Sequence, residues 1–166
     1  MIKDFRPTRI DGATAYIPLT RGYEAVVDVD DIPLLDGRHW HAVNAASGLV
    51  YAVNKANSVS IYMHRLLLSA SPGIMVDHAD RNGLNNTRQN LRLATNSQNQ
   101  FNQGLKASNT SGFKGVSFHK GRQSFTSRIM VDRKHVFLGY HATAEGASMA
   151  YAIASSRLHG DFGRFA

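Results

Sequence analysis

Residues 76–99 read VDHADRNGLNNTRQNLRLATNSQN, with six asparagines, two aspartates and one histidine in 24 positions. This block allows few folds. The preceding apolar run makes IMVDH (74–78) a strand candidate, bounded by Gly73 and the turn-rich ADRNGLNN. NLRLAT (90–95) can pair back as a second strand. Thr95 and Gln98 have the S/T-x-x-Q spacing of a capping box, which predicts a helix from Asn96. The predicted order is strand, loop, strand, helix, with the only histidine of the block ending the first strand.

The flanks read differently. Residues 1–62 alternate short apolar runs (AYIPL, YEAVVDV, WHAV, LVYAV, VSIYM) with turn formers, which predicts a β-rich segment. DVDDIPLLDG within it suits a helical turn, and HRLLLSA (64–70) predicts a short helix stopped by Pro72. NQGLKASNTSG (102–112) lacks periodicity and reads as a linker. Beyond it, KGVSFH, SFTSRIMV and HVFLGY are separated by the short turns KGRQ and DRK, predicting a three-stranded antiparallel sheet. Thr143 can cap a following helix with Ala147, Ala150, Tyr151, Ala154 and Leu158 on one face, and Gly160 suits its stop. The fold class is α+β, in three parts: 1–62, a core at 63–104, and a sheet-plus-helix domain at 109–166.

Charge separates the parts. Residues 105–166 hold nine Lys/Arg against three Asp/Glu, while residues 1–104 hold ten against nine. An excess of that size in a small segment attracts polyanions. The chain has no cysteine, excluding disulfides and thiolate metal sites, and no apolar run near the ~20 residues a membrane span needs. The opening MIKDFRPTR lacks the apolar core of a secretory signal. A cytosolic setting, away from membranes, is the expectation.

The central block carries chemistry. Asp77 offers a hard oxygen ligand suited to Mg²⁺, and Asn99, early in the predicted helix, offers a second. An unliganded His78 can take a proton from water near neutral pH. Asn82, Asn85 and Asn86 read as turn formers. Asp80 with Asn82-Gly83 lacks the order and terminal Glu of a calcium loop. Arg65 is a candidate phosphate contact, and His64 reads as structural.

The pattern Asp77-His78, Asn90 twelve residues on and Asn99 nine further, resembles the HNH nuclease motif in its ββα-metal form. MHRLLL at Met63–Leu68 and the text around the motif resemble the phage and intron-encoded homing branch. The resemblance implies a metal-dependent DNA endonuclease, making nicks or double-strand breaks with 5′-phosphate and 3′-hydroxyl ends. It implies His78 as general base, Asn90 as a brace for the loop, and Asp77 and Asn99 as ligands of Mg²⁺ or a similar ion such as Mn²⁺. It also implies action in the cytoplasm of a bacterial host cell. With one such site per chain, a monomer cuts one strand per visit and a homodimer both.

Residues 111–162 are similar to the DNA-binding domain of plant ethylene-response factors, most tellingly at Gly115-Val116, LGYHATAEGASMAYAIA and LHGDF. That resemblance implies double-stranded DNA contact through the sheet, with Lys114, Lys120, Arg122, Arg128, Arg133 and Lys134 as the expected contacts. If Phe125 and Ile129 face the helix, Arg128 and Thr126 point outward. Two rivals remain. One is a DNA-binding regulator with an inactive nuclease core. The other is an RNA-binding β-module, disfavoured because alternation leaves the outward strand positions without a set of stacking aromatics.

Overall fold

The computed structural model describes residues 6–46, 48–56 and 58–164; residues 1–5, part of the opening read above for a secretory signal, lie outside them. The elements form a mixed α/β protein of several small antiparallel sheets, divided into two compact units, Met1–Thr95 and Asn96–Ala166. Among the described residues, no helix is long and apolar enough to cross a membrane.

The first unit opens with a meander of β1 (Arg9–Asp11), β2 (Thr14–Pro18) and β3 (Glu24–Asp28). Alternation along β2 and β3 buries Ala15, Ile17, Ala25 and Val27 on one face. A 3₁₀ turn at Val29–Asp31 leads into α1 (Ile32–Leu35), the helical turn expected there. A second meander follows, of β4 (Trp40–Asn44), β5 (Val50–Ala56) and β6 (Val59–Tyr62). The buried Trp40 indole donates to the Leu35 carbonyl at 3.2 Å.

β6 runs directly into α2 (Met63–Leu67). The helix is shorter than the 64–70 expected. Arg65 wraps the next turn instead, its guanidinium donating to the carbonyls of Ala70 (3.0 Å), Ser71 (2.9 Å) and Ile74 (2.7 Å). β7 (Met75–His78) and β8 (Leu91–Ala94) then pair from Met75↔Ala94 to His78↔Leu91. One core cluster joins these pieces, with Val27, Leu35, Trp40, Met63, Leu67, Val76 and Leu91 in it. Side chains such as the fully buried Met63 each contribute about 1.5–3 kcal/mol.

The second unit starts with α3 (Asn96–Phe101), which begins at the residue expected. β9 (Val116–His119), β10 (Ser124–Val131) and β11 (Lys134–His141) form a sheet in the order β11-β10-β9. The β10–β11 connection is two residues, Asp132 and Arg133, both at positive φ (48° and 63°), the sense that suits a twisted hairpin. α4 (Ala144–His159) packs on the sheet, and the Thr143 hydroxyl caps it by accepting from the Gly146 N–H at 3.1 Å.

The packed face of α4 differs from the one expected. It runs through Ala147, Tyr151, Ser155 and His159, at a spacing of four, and Leu158 is 51% exposed. Two polar groups on this stripe, Ser155 and His159, explain the shift, with Ser155 Oγ 3.5 Å from His159 Nδ1. His159 Nε2 donates to the Met130 carbonyl (2.8 Å), and the His159 ring stacks on Phe101 at 3.6 Å. Gly115, at φ +71°, lies so close to the Tyr151 ring that an added Cβ would sit 2.2 Å from it.

Candidate functional site

The loop from Ala79 to Asn90 is held from within by Asn90. Its side-chain amide donates to Asp80 Oδ1 (2.9 Å) and to the Asn85 carbonyl (2.7 Å), and its Oδ1 accepts from the Asp80 N–H (3.0 Å). Asn82 and Asn85 are the turn formers expected, accepting from the backbone of Leu84 and Thr87.

The first sheet holds the same loop from outside. Val26 on β3 donates to the Leu84 carbonyl (2.8 Å) and accepts from the Asn86 N–H (2.7 Å). Arg88 donates from its backbone to Asp28 Oδ2 (2.8 Å) and grips the Asp31 carboxylate with Nε and Nη2 (3.0 and 2.6 Å). Asp31 is 2% exposed, so Arg88 compensates a carboxylate that water cannot reach. Gly83 closes the loop onto β5, where an added Cβ would lie 2.4 Å from the Val50 carbonyl oxygen and 2.7 Å from the Tyr51 ring.

His78 sits at the end of β7 among rings. Its centroid is 5.0 Å from His64 and 5.8 Å from Tyr51, and Tyr62 lies 5.4 Å from His64. His78 Nε2 is 3.3 Å from Asn86 Oδ1. Asn86 is fully buried, and its own NH₂ donates to the Leu84 carbonyl at 3.1 Å, which fixes its Oδ1 as the atom facing the histidine. An oxygen there only accepts, so the proton must be on Nε2 and the lone pair on Nδ1. Burial lowers the His78 pKa from its ordinary value, against smaller raising effects of the Asn86 hydrogen bond, Asp80 and Asp77. The imidazole is thereby kept in its basic form at neutral pH.

Asn86 is the site residue that sequence reading missed. It shares the Asn85-Asn86 doublet with a true turn former, and what distinguishes it is its full burial with Oδ1 towards His78, where Asn85 is only partly buried. His64 is 92% shielded from solvent and its Nδ1 has no hydrogen-bond partner. Burial, followed by the charges of His78 and Arg65, pushes its pKa down to about 3. It is a neutral packing ring against His78.

Asp77 is buried and pairs across the hairpin with Arg92, whose Nη2 and Nε lie 2.6 and 2.8 Å from Oδ2. Asn99 is half-buried on α3, in the second unit. Among the described residues, no three His, Asp or Glu side chains gather as a metal-binding group. Arg65, the candidate phosphate contact, directs its guanidinium at the three carbonyls already described.

In the second unit, Lys114 also faces carbonyls, donating to those of Phe101 (2.5 Å) and Gln103 (2.6 Å) just past α3. Lys120, Arg122, Arg128, Arg133 and Lys134 are exposed, four in or beside the hairpin turns and Arg128 on β10. Ile129 is buried and Arg128 exposed, as alternation requires, but Thr126, expected outward with Arg128, is 2% exposed, its hydroxyl 2.9 Å from that of Ser117.

The outward face carries more aromatic surface than alternation predicts. Phe137 and Tyr140 are three apart, so a regular strand would put them on opposite faces. The register jumps from Ser127↔Gly139 to Arg128↔Phe137, bulging Leu138 out of the pairing. Phe137 then pairs with Arg128, and Tyr140 with Thr126, on one face. Their rings meet edge-on at 5.0 Å. The outward face therefore does hold a pair of stacking aromatics, contrary to the expectation from alternation.

Residues 62–101 match the model of a family described as HNH endonuclease. The chain is 30% identical over 158 residues to an uncharacterized HNH endonuclease of Acanthamoeba polyphaga mimivirus, spanning 92% of this chain and 81% of that protein. It is 36% identical over 93 residues to Protein 3.8 of Escherichia phage T7, spanning 56% of this chain and 76% of the relative. No solved structure matches it.

Proposed function

The chain belongs to the HNH endonuclease family, and on that premise we propose that it hydrolyses phosphodiester bonds in double-stranded DNA with the help of a divalent cation. In this reading residues 63–104 are the ββα-metal nuclease core, residues 1–62 buttress its loop, and residues 109–166 hold the substrate.

The observation that carries the reading is the state of His78. Asn86 fixes its tautomer, burial keeps it neutral, and the loop beside it is braced by Asn90. A neutral imidazole with a basic nitrogen can take a proton from the attacking water, which then displaces the 3′ oxygen in line. The donor chemistry at Asp77 and Asn99, a carboxylate and an amide oxygen, fits a hard ion such as Mg²⁺ or Mn²⁺. Such an ion would stabilise the charge that develops on the phosphate. Lys120, Arg122, Arg128, Arg133 and Lys134 would hold the backbone, while Arg65 and Lys114 serve the fold.

Long DNA incubated with Mg²⁺, followed by sequencing of every new end, tests the activity. His78→Ala should lose about 10²–10⁴-fold in cleavage while keeping DNA affinity. Asp77→Ala should lower cleavage, and excess chelator should abolish it in the parent. Full cleavage by a well-folded His78→Ala variant removes His78 as the base, and full activity in chelator removes the metal.

One observation favours a second reading, a DNA-binding regulator with an inactive core: the Arg92 guanidinium seated on Asp77. Sequence-selective binding without any new DNA ends, with every divalent ion tried, would select it.

A further inference from the structure

On the open face of the second unit's sheet, Phe137 is 49% exposed and Tyr140 45%, beside the exposed Arg128 and His135. These four side chains line one shallow depression. The Arg122 guanidinium lies 4.6 Å over the Tyr140 ring, adding a flat cationic surface at its edge. The only carboxylates in residues 105–166 are Asp132, Glu145 and Asp161, none of them on a strand. The face thus combines open rings with positive charge and carries no acid.

A paired base in a duplex offers its edges, because both its faces are already stacked. Exposed rings gain most from a base whose face is free, while neighbouring guanidiniums hold its phosphate. We infer that this face binds an unpaired stretch of DNA, stacking a base on Phe137 and another on the Tyr140–Arg122 edge, with Arg128 on the intervening phosphate. Arg128 is the direct cross-strand neighbour of Phe137, close enough to serve the same nucleotide. The inference rests on the reading of the chain as a DNA enzyme and sharpens its substrate to DNA with an exposed single strand beside a duplex.

The test is fluorescence anisotropy with the full chain, in chelator to prevent cutting. The probes are a labelled dT oligonucleotide, the RNA of the same length, and a duplex of the same length. Each stacked base is worth roughly five- to 150-fold in affinity. Phe137→Ala and Tyr140→Ala should each weaken dT binding by about that factor and leave duplex binding within about two-fold. Tyr140→Phe, which keeps the ring, should bind dT like the parent and shows that the fold tolerates change there. Equal losses on dT and duplex would overturn the proposal, as would unchanged dT binding or tighter binding of the RNA. So would concentration-dependent self-association that disappears in Phe137→Ala, because the rings would then serve a second copy. Because no cleavage is read, an inactive nuclease core leaves this result intact, and a failed result leaves the nuclease reading intact.

Discussion

Replacing Asn90 with alanine isolates what the loop brace contributes. The substitution removes two donated bonds, to Asp80 Oδ1 and the Asn85 carbonyl, and one accepted from the Asp80 N–H. Neutral bonds contribute about 0.5–1.5 kcal/mol each and one to a carboxylate about 1.5–3. Asp80 Oδ1 keeps a second bond, from the Asn82 N–H at 2.8 Å, so the expected net loss is about 2–4 kcal/mol. For a unit of this size that lowers the unfolding midpoint by roughly 10–30 °C. The chain's single tryptophan, Trp40, is buried in the first unit, so its fluorescence during urea unfolding reports on that unit. Asn90→Asp should be as damaging at neutral pH, since it sets a second carboxylate against Asp80. Acidification, by protonating that carboxylate, should narrow the gap between the parent and Asn90→Asp more than the gap to Asn90→Ala. A loss under about 0.5 kcal/mol for Asn90→Ala, with cleavage retained, would refute the idea that Asn90 holds the loop in shape.

His64 gives a pH signature. Its pKa is about 3 when folded and 6.5 in the open chain, so the unfolded state binds the extra proton between those values. Stability should be full above 6.5 and fall as pH drops towards 3, by about 1.4 kcal/mol per pH unit from this group. His64→Phe should flatten that slope in Trp40-monitored unfolding across the range. Gly83→Ala should cost about 1–3 kcal/mol and lower cleavage with it, because the added methyl meets the β5 backbone; parent-like unfolding would contradict this. Lys120→Ala or Arg122→Ala should reduce the log–log salt slope of duplex binding by about 0.9 for each phosphate the variant no longer neutralises. Lys114→Ala should leave that slope unchanged and lower stability instead, since its ammonium sits on two carbonyls.

Local chemistry was legible in the sequence, and long-range chemistry was not. β10 fills the expected run SFTSRIMV from end to end, because turn residues bracket it on both sides. The start of α3 and the Thr143 cap were equally visible, both depending on residues a few positions apart. Asn86 was not. Its role depends on Val26, sixty positions earlier, and nothing local distinguishes it from Asn85. The aromatic face was missed because one bulged residue, Leu138, breaks the two-residue period on which every inward–outward assignment relies. The α4 face was misread because Ser155 and His159 are polar, and an apolar pattern passes over buried groups that are satisfied by hydrogen bonds.

The docking of the loop on β3 bears on how portable the family-matched segment is. The family match begins at residue 62, yet the strand and carboxylates that shape the loop, Val26, Asp28 and Asp31, lie well before it. A graft of residues 62–101 onto another scaffold would carry every letter of the motif without the template that folds it. The excised segment should be largely unstructured, with the imidazole of His78 released from Asn86. Recombination that keeps this loop in shape must move the first unit as a block, and to keep the proposed ligand Asn99 it must carry α3 as well.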